Sequence, residues 1–252
     1  MKSKYFTVEV KPTIPNVAAG QHAAFSDGDV LFNWHAFDIP RGPAKLLGVS
    51  CDLRPKGNAD ADPNKFAFEL FFAKSRNDGT DPTALGTVNS AVTVPAFSPN
   101  QIMAFVEVVA GDFADHLDST SFSHTVPLAG TIFSGEPKPE KGSHVGFDRY
   151  YVAGMAGAAL DFTSLTRINN GDLNGPVLTV DGTDPRLFLN KGDTIAVTTT
   201  ADTTAAKSMG VIKSVDSATQ ITLESAFTTG DVVNDDFVYN VSPITIRLHF
   251  EK

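Results

Sequence analysis

The sequence has a single cysteine and no long apolar run, and each shortage excludes a class of protein. Its one cysteine, Cys51, excludes an internal disulfide framework and a zinc site built from cysteines. Met1–Phe6 carries positive charge, but no apolar stretch follows it, so we expect no signal peptide. The longest weakly polar run, Tyr151–Leu160, is too short to span a bilayer and contains Gly154. We therefore expect no membrane partner.

Positive charge is also scarce. There are 20 Lys and Arg residues against 29 Asp and Glu residues, which gives a formal net charge of −9. Such a chain repels phosphate backbones, and no basic cluster reverses this locally, so nucleic-acid binding is not expected. The mean hydropathy of −0.05 is typical of a globular protein. With 252 residues, the chain is long enough for one large all-β domain or two smaller ones.

Recognisable catalytic and metal-binding motifs are missing as well. The sequence has no Gly-x-Ser-x-Gly elbow and no phosphate-binding glycine loop. His116 and His124 with a nearby aspartate form a conceivable metal site, but solvated loop histidines are the simpler interpretation. Asn58–Asn64 alternates side-chain oxygens as calcium loops do, yet Pro63 stands where an EF-hand needs glycine, which favours a plain acidic turn. We expect no catalytic residue, no cofactor and no metal.

Phenylalanine, in contrast, is abundant, with 19 residues. The segment Lys65–Ala73 places Phe66, Phe68, Leu70 and Phe72 at every second position. Because successive side chains of a β-strand point to opposite faces, these four large residues share one face. The pattern predicts a central strand of an antiparallel sheet, packed on one side against a core.

The same period-two pattern recurs before and after this segment. Further strands are predicted at Tyr5–Val10, Val30–Phe37, Leu46–Leu53, Gln101–Val109 and Val145–Val152. The glycine- and alanine-rich run that continues to Ala159 predicts a strand end that lies close to another backbone.

From about residue 174 the strands become shorter and turn signals more frequent, which is typical of a small barrel or sandwich. Ile244–Phe250 returns to the strong alternation of the early strands. We therefore predict an all-β protein with two domains. Residues 1–173 plus 242–252 form an antiparallel, jelly-roll-like β-sandwich. Residues 174–241 form a small β-barrel domain inserted before the last strand.

Three segments of this second region resemble a recurrent module of bacteriophage virion proteins. Gly192-Asp193-Thr194-Ile195-Ala196-Val197, Gly210-Val211-Ile212-Lys213-Ser214-Val215 and Thr219-Gln220-Ile221-Thr222-Leu223 are similar to its "GD.I.V", "G.I.SV" and "T.ITL" strands. The resemblance covers roughly Val177–Tyr239 and implies a small barrel. The earlier Phe-rich part is similar in style to sandwich domains of capsid decoration proteins.

The resemblance implies a non-enzymatic structural protein of a phage particle, expected to be a capsid decoration or cement protein. Its partners would be the major capsid protein or neighbouring virion subunits, as a homo-oligomer with a trimer favoured. It would be located in the virion, assembled in the host cytoplasm. The alternative is a tail or fibre component that binds host-surface glycan through Trp34, Tyr150 and Tyr151. A carbohydrate-active enzyme without a visible motif is a third possibility.

Candidate interface residues come from three stretches. They are the proline-rich segment after the first strand, the strand with two apolar faces, and an aromatic cluster in a later strand. The candidates are Pro12, Ile14, Pro15, Met103, Phe105, Tyr150 and Tyr151.

Overall fold

In a computed structural model, the regular secondary structure of the described residues is almost all antiparallel β-strand, arranged in two sheets and one closed barrel. The all-β prediction is thereby confirmed. The structure describes residues 4–14, 24–54, 65–76, 79–93, 97–116, 120–125, 132–133, 146–160, 162, 164–169, 175–199, 206–227 and 232–252.

The first sheet has four strands and contains the Phe-rich segment. In spatial order its strands are β2 (Val30–Pro40), β9 (Phe147–Ala156), β4 (Phe68–Lys74) and β5 (Gln101–Val108). Strand β4 is interior, and Phe66, Phe68, Leu70 and Phe72 are all at most 3% exposed. The predicted central strand with one packed face is confirmed.

The second sheet has six strands and includes the last strand of the chain. Its spatial order is β1 (Tyr5–Val10), β16 (Ile244–Glu251), β3 (Ala44–Leu53), β7 (Thr120–Thr125) and β6 (Phe113–His116), and β8 (Ile132–Phe133) pairs with the start of β3. Between β5 and β6 the chain makes one 3-10 turn at Ala110–Asp112. As predicted from its alternation, Ile244–Glu251 joins this sheet, between β1 and β3.

The connections between the two sheets have jelly-roll topology. If the eight strands β1, β2, β3, β4, β5, β7, β9 and β16 are taken in chain order, the first pairs with the last and the second with the second-last. The third likewise pairs with the third-last, and the middle two pair with each other. This nested pairing, divided between two facing sheets, describes a double-sheet jelly roll and confirms the sandwich prediction.

Aromatic rings from both sheets meet in the space between them. The ring centroid of Phe133 in β8 lies 5.5 Å from that of Phe72 in β4 and 5.3 Å from that of Phe250 in β16. Phe37 in β2 also approaches the Phe250 ring, at 6.4 Å. All four side chains are at most 5% exposed. The Phe content is thus explained by one core that both sheets share.

The closed barrel lies in the chain between β9 and β16. Around the barrel its strands are β10 (Arg167–Ile168), β11 (Val177–Asp181), β14 (Gln220–Leu223), β13 (Ser208–Ser217), β12 (Thr194–Thr198) and β15 (Phe237–Asn240). A 3-10 turn at Pro185–Leu187 connects β11 to β12. The barrel has its own apolar core, separate from that of the sandwich. Its first strand begins at Arg167, before residue 174 where the sequence placed the start.

Two glycines of the run from β9 onward lie against neighbouring groups. A Cβ on Gly157 would lie 3.3 Å from the backbone of Ala67, whose carbonyl accepts the Gly157 N–H at 2.8 Å. A Cβ on Gly154 would lie 2.3 Å from the ring of Phe32 in β2. The predicted close approach to another backbone is confirmed at Gly157, and Gly154 makes room for an aromatic ring.

Candidate functional site

The proline-rich segment after β1 is packed into the sandwich as far as the structure describes it. Pro12 is buried, Ile14 is 0% exposed, and the Ile14 N–H donates to the Val241 carbonyl at 2.7 Å. Other parts of this chain therefore cover the two side chains, and their role at an interface stays a prediction. Pro15 lies outside the described residues.

The aromatic cluster of β9 is buried as well. Tyr150 faces the core between the sheets and is 1% exposed. Tyr151 points to the other face of the sheet, is 3% exposed, and donates from its hydroxyl to Asp81 Oδ1 at 2.6 Å. Both side chains are therefore covered by other parts of this chain, and their role at an interface or in glycan binding stays a prediction.

Trp34, the third residue proposed for glycan binding, is half-buried under a loop. Its indole N–H donates to the Thr83 carbonyl at 2.8 Å. The loop is held in turn by Asn100, whose side chain accepts from Thr83 N–H at 2.7 Å and donates to the Thr83 carbonyl at 2.8 Å. Trp34, Tyr150 and Tyr151 therefore do not come together as an exposed aromatic surface.

Met103 and Phe105 are different, because both keep accessible surface on β5. Phe105 is 51% exposed and lies directly opposite Phe71 in the β4–β5 ladder. The ring of Phe71 packs edge-on against Phe97 with centroids 5.1 Å apart. Phe71, Phe97 and Met103 are partly buried against the sandwich core. We call Phe71, Phe97, Met103 and Phe105 the β5 face. It is an apolar surface on the outer side of the four-stranded sheet.

Two carboxylates lie next to the β5 face. Glu69 of β4 is directly opposite Glu107 of β5, two positions along from the Phe71–Phe105 pair. Burial raises the pKa of Glu69, and the negative charges of Glu107 and then Asp27 raise this pKa further. Like charges directly opposite each other are unfavourable in a sheet. This part of the surface therefore favours a positively charged neighbour.

The aromatic and acidic pairs were not visible in the sequence. Glu69 and Glu107 are 38 positions apart in the sequence. Only the β4–β5 register places them side by side. The available signal was the apolar character of both faces of Gln101–Val109, which indicated that the strand is buried or lies at an interface. The structure places it at the edge of its sheet with Phe105 exposed.

The two metal candidates from the sequence are the Asn58–Asn64 segment and the pair His116 and His124. Asn58–Asn64 and the side chains of His116 and His124 lie outside the described residues. Within the part of the chain that is described, no three His, Cys, Asp or Glu side chains form a group able to hold a metal ion. In the same residues, no helix has the length and apolar character required to cross a membrane.

A second polar cluster lies where the barrel meets the sandwich. Asp193 Oδ2 accepts from the Asn190 N–H at 2.8 Å and from the Asn240 side chain at 3.3 Å. Burial raises the pKa of Asp193, while the Asn190 N–H and then the charges of Arg54 and Lys11 act in the opposite direction. Because Asn190 and Asn240 hold Asp193 within the chain, we assign this cluster a structural role.

Comparison with known proteins gives no family assignment. No family model matches the sequence, and no curated protein matches it. Among solved structures, a virus-like particle of the giant freshwater prawn Macrobrachium rosenbergii nodavirus matches with a TM-score of 0.20 and 8% identity. This match covers 99% of this chain and 93% of the nodavirus chain.

Two further matches have similar scores. Infectious bursal disease virus, Gx strain, gives a TM-score of 0.21 at 8% identity over 99% of this chain and 40% of that one. The KI polyomavirus VP1 pentamer gives 0.19 at 11% identity, covering 98% and 92% respectively. Similarity at these TM-scores establishes neither a shared fold nor a shared function.

Proposed function

We propose that this chain is a non-enzymatic structural protein of a virus particle, and more specifically a capsid decoration or cement protein of a bacteriophage. The observation that carries the proposal is the nested jelly-roll pairing of the sandwich, from β1 with β16 to β4 with β5. Jelly rolls occur in viral capsid proteins, lectins and cupins, so the fold by itself leaves these classes open.

The contents of the sandwich favour the structural role over the other two classes. A cavity between the two sheets is one place where an enzyme or ligand carrier of this fold would hold its ligand. In the described residues, rings such as Phe72, Phe133 and Phe250 pack together between the sheets, with centroids 5.3–5.5 Å apart. A lectin needs exposed aromatic or charged groups for sugar, but Tyr150 and Tyr151 are buried. The glycan-binding alternative therefore has less support than the structural role.

The barrel adds support from the sequence. The three segments that resemble a phage virion module include β12, β13 and β14, which are consecutive neighbours in the closed barrel. Thr194–Val197 pairs with Ser208–Val211, and Ile212–Ser217 pairs with Gln220–Leu223. The motif residues thus form one continuous ladder, as expected if the module is the barrel that the resemblance implies.

The β5 face is the surface that we propose contacts neighbouring subunits in the particle. Aromatic residues and methionine are enriched in protein–protein interfaces, and an exposed phenylalanine that adjoins other apolar side chains is costly to leave in water. Phe105, Met103, Phe71 and Phe97 supply this composition on a rigid sheet. A homotrimer that closes around a local threefold site, formed in the host cytoplasm and carried in the virion, remains our working proposal for the assembly.

Quantitative mass spectrometry of purified particles tests this function. A decoration protein should be present in a simple fraction of the copy number of the major capsid protein. A copy number far below that fraction would indicate that the protein belongs to the tail or a fibre. Its absence from particles would overturn the virion role. Sedimentation equilibrium of the purified chain tests the trimer.

An add-back experiment tests the surface. Particles lacking the protein are mixed with purified chain, and bound copies are counted after sedimentation. Phe105→Ser should reduce the number of bound copies. Val177→Ser is the matched control, because Val177 is 40% exposed on the barrel and distant in sequence from the β5 face. Equal losses for both variants would mean that the β5 face has no special role in attachment.

A further inference from the structure

Each sheet of the sandwich ends in two edge strands, and three of the four are short or protected. Strand β2 is bonded at its start to a loop, through the Val30 N–H to the Ser90 carbonyl and the Asn89 N–H to the Val30 carbonyl, both at 2.9 Å. Its other end is a proline, Pro40. Strand β6 has only four residues. Loops, prolines and short length are the devices by which proteins prevent pairing at a sheet edge.

The edge strand β1 has six residues, fewer than β5, and a lysine flanks it on each side, at Lys4 and Lys11. Glu9 within it forms ion pairs with Lys11 at 3.3 Å and with Arg247 of the adjacent strand at 3.2 Å. Charged side chains along an edge make pairing with another chain unfavourable because they must lose water.

Strand β5 has little of this protection. It is eight residues long, contains no lysine or proline, and carries one charge, Glu107. A bulge shifts the register near Met103, but Ala104–Val108 pairs regularly with β4. Among the residues that the structure describes, no strand pairs with the other edge of β5. Ile102 and Phe105 are 36% and 51% exposed. A long, apolar edge of this kind is a template for pairing with another chain.

We propose that β5 accepts an extended segment of a neighbouring protein as an additional strand, and that this segment places lysine or arginine beside Glu107 and an apolar residue beside Phe105. The inference deepens the proposed function and rests on it only for the source of the segment, a neighbouring particle subunit.

The chemistry of the partner follows from the period of a strand. Phe105 and Glu107 are two positions apart and lie on the same face, so the added strand presents its facing side chains two positions apart as well. Val106 and Val108 point to the core side and are at most 3% exposed, so the intervening residues of the partner should be apolar or small. A cation beside Glu107 would also relieve its repulsion with Glu69, directly opposite in β4.

Local charge also argues against a second copy of this chain as the occupant of the β5 edge. Two copies paired through β5 would bring both Glu69–Glu107 pairs into one sheet. A positively charged segment avoids this cost.

Designed peptides test the proposal with the full-length chain. The probe is the acetylated, amidated heptapeptide Val-Tyr-Val-Lys-Val-Tyr-Val with a polyethylene glycol tail and a fluorescent label. Its central lysine is flanked symmetrically, so either strand direction is possible. The matched probe replaces lysine by glutamate. Fluorescence anisotropy should show the lysine peptide binding about threefold to tenfold more tightly, the range expected for exposed charge pairs. N-methylation of alternate peptide amides should abolish binding, since it removes the ladder hydrogen bonds.

A charge reversal makes the test specific. Glu107→Lys should invert the preference, so that the glutamate peptide binds more tightly. Glu224→Lys is the matched control, because it changes the net charge equally at an exposed barrel position and should leave the preference unchanged. Circular dichroism establishes that both variants fold, and Phe105→Ser provides a second variant that should weaken both peptides.

Several results would overturn the proposal. They are the absence of binding by either peptide, equal affinity for the two peptides, or a preference that Glu107→Lys does not invert. A dimer of the chain alone that disappears in Phe105→Ser would identify a second copy as the occupant and would also overturn it. These outcomes do not depend on particle mass spectrometry, so failure of the strand proposal and failure of the virion role are distinguishable.

Discussion

Replacing Gly154 with alanine should destabilise the sandwich by about 1–3 kcal/mol, the usual cost of overpacking a core. An added Cβ would lie 2.3 Å from Cε1 and 2.7 Å from Cδ1 of Phe32. Carbon atoms normally approach to about 3.5–4.0 Å, so the ring would have to move by about 1 Å. Phe32 is 1% exposed within the core, so its ring can move only if neighbouring core side chains repack. The effect is steric, because Gly154 does not have a left-handed backbone conformation.

The single tryptophan makes this effect measurable in the sandwich alone. Trp34 lies in β2, the same strand as Phe32, and the barrel contains no tryptophan. Urea unfolding followed by tryptophan fluorescence should therefore show a lower midpoint for Gly154→Ala with an unchanged slope. Gly111→Ala is the control, because Gly111 lies between β5 and β6 of the sandwich and no atom lies within 4 Å of its added Cβ. Its effect should stay within about 0.5 kcal/mol.

A double mutant tests the stated cause. Phe32→Leu removes the ring atoms that the new methyl group would contact. The combined variant Gly154→Ala, Phe32→Leu should therefore lose less stability than the sum of the single changes, by about 0.5–3 kcal/mol. If the two changes are additive, or if Gly154→Ala behaves like Gly111→Ala, the packing of Phe32 against Gly154 is not what the structure indicates.

Three further outcomes are expected. Phe68→Ala should cost about 3–5 kcal/mol in the same urea transition, since Phe68 is 0% exposed. Burial and the charges of Glu107 and Asp27 raise the pKa of Glu69 in the folded state, so folding favours the protonated carboxyl. The stability that the protonated form contributes is present at low pH and is lost as the pH rises through the raised pKa. Glu69→Gln should thus stabilise the sandwich by roughly 0.2–1 kcal/mol at pH ~7, and the gain should vanish below pH ~4. Lys207→Met should cost the barrel about 1–3 kcal/mol by hydrogen exchange, since Lys207 Nζ lies 3.0 Å from the buried carboxylate of Asp236.

The sequence predicted those features that depend on local periodicity. Phe66, Phe68, Leu70 and Phe72 occupy every second position, and all four side chains are buried on one face of the sheet. The alternation of Ile244–Phe250 was sufficient to place the last strand in the sandwich, although the 74 residues from Arg167 to Asn240 form the barrel that precedes it. Periodicity succeeds here because one face of each strand is in contact with the core.

Features that depend on pairing between distant segments were not predicted. The burial of Tyr151 requires a hydrogen bond to Asp81, 70 positions away. A tyrosine has an apolar ring and a polar tip, so its composition is equally compatible with an interface and with a paired, buried position. Strand β10 was also not predicted, because its two residues, Arg167 and Ile168, are too few to show any period.

That short first strand explains how a barrel is accommodated before the last strand of a jelly roll. Arg167 of β10 pairs with Phe237 of β15, and its guanidinium lies 4.7 Å from the centre of the Phe237 ring. The chain therefore enters and leaves the barrel on adjacent strands, whose Cα atoms are about 4.5–5.5 Å apart in an antiparallel pair.

Beyond β15, the Val241 N–H donates to the Thr194 carbonyl of the barrel, and the Val241 carbonyl accepts from the Ile14 N–H of the sandwich. The entropic cost of a loop comes from bringing its two ends together. A folded insertion whose ends are already adjacent therefore adds little more to the entropic cost of folding the sandwich than a short turn would. The pairing of β16 with β1 and β3 is therefore compatible with a large insertion immediately before it. This supports our proposal that sandwich and barrel are separate domains.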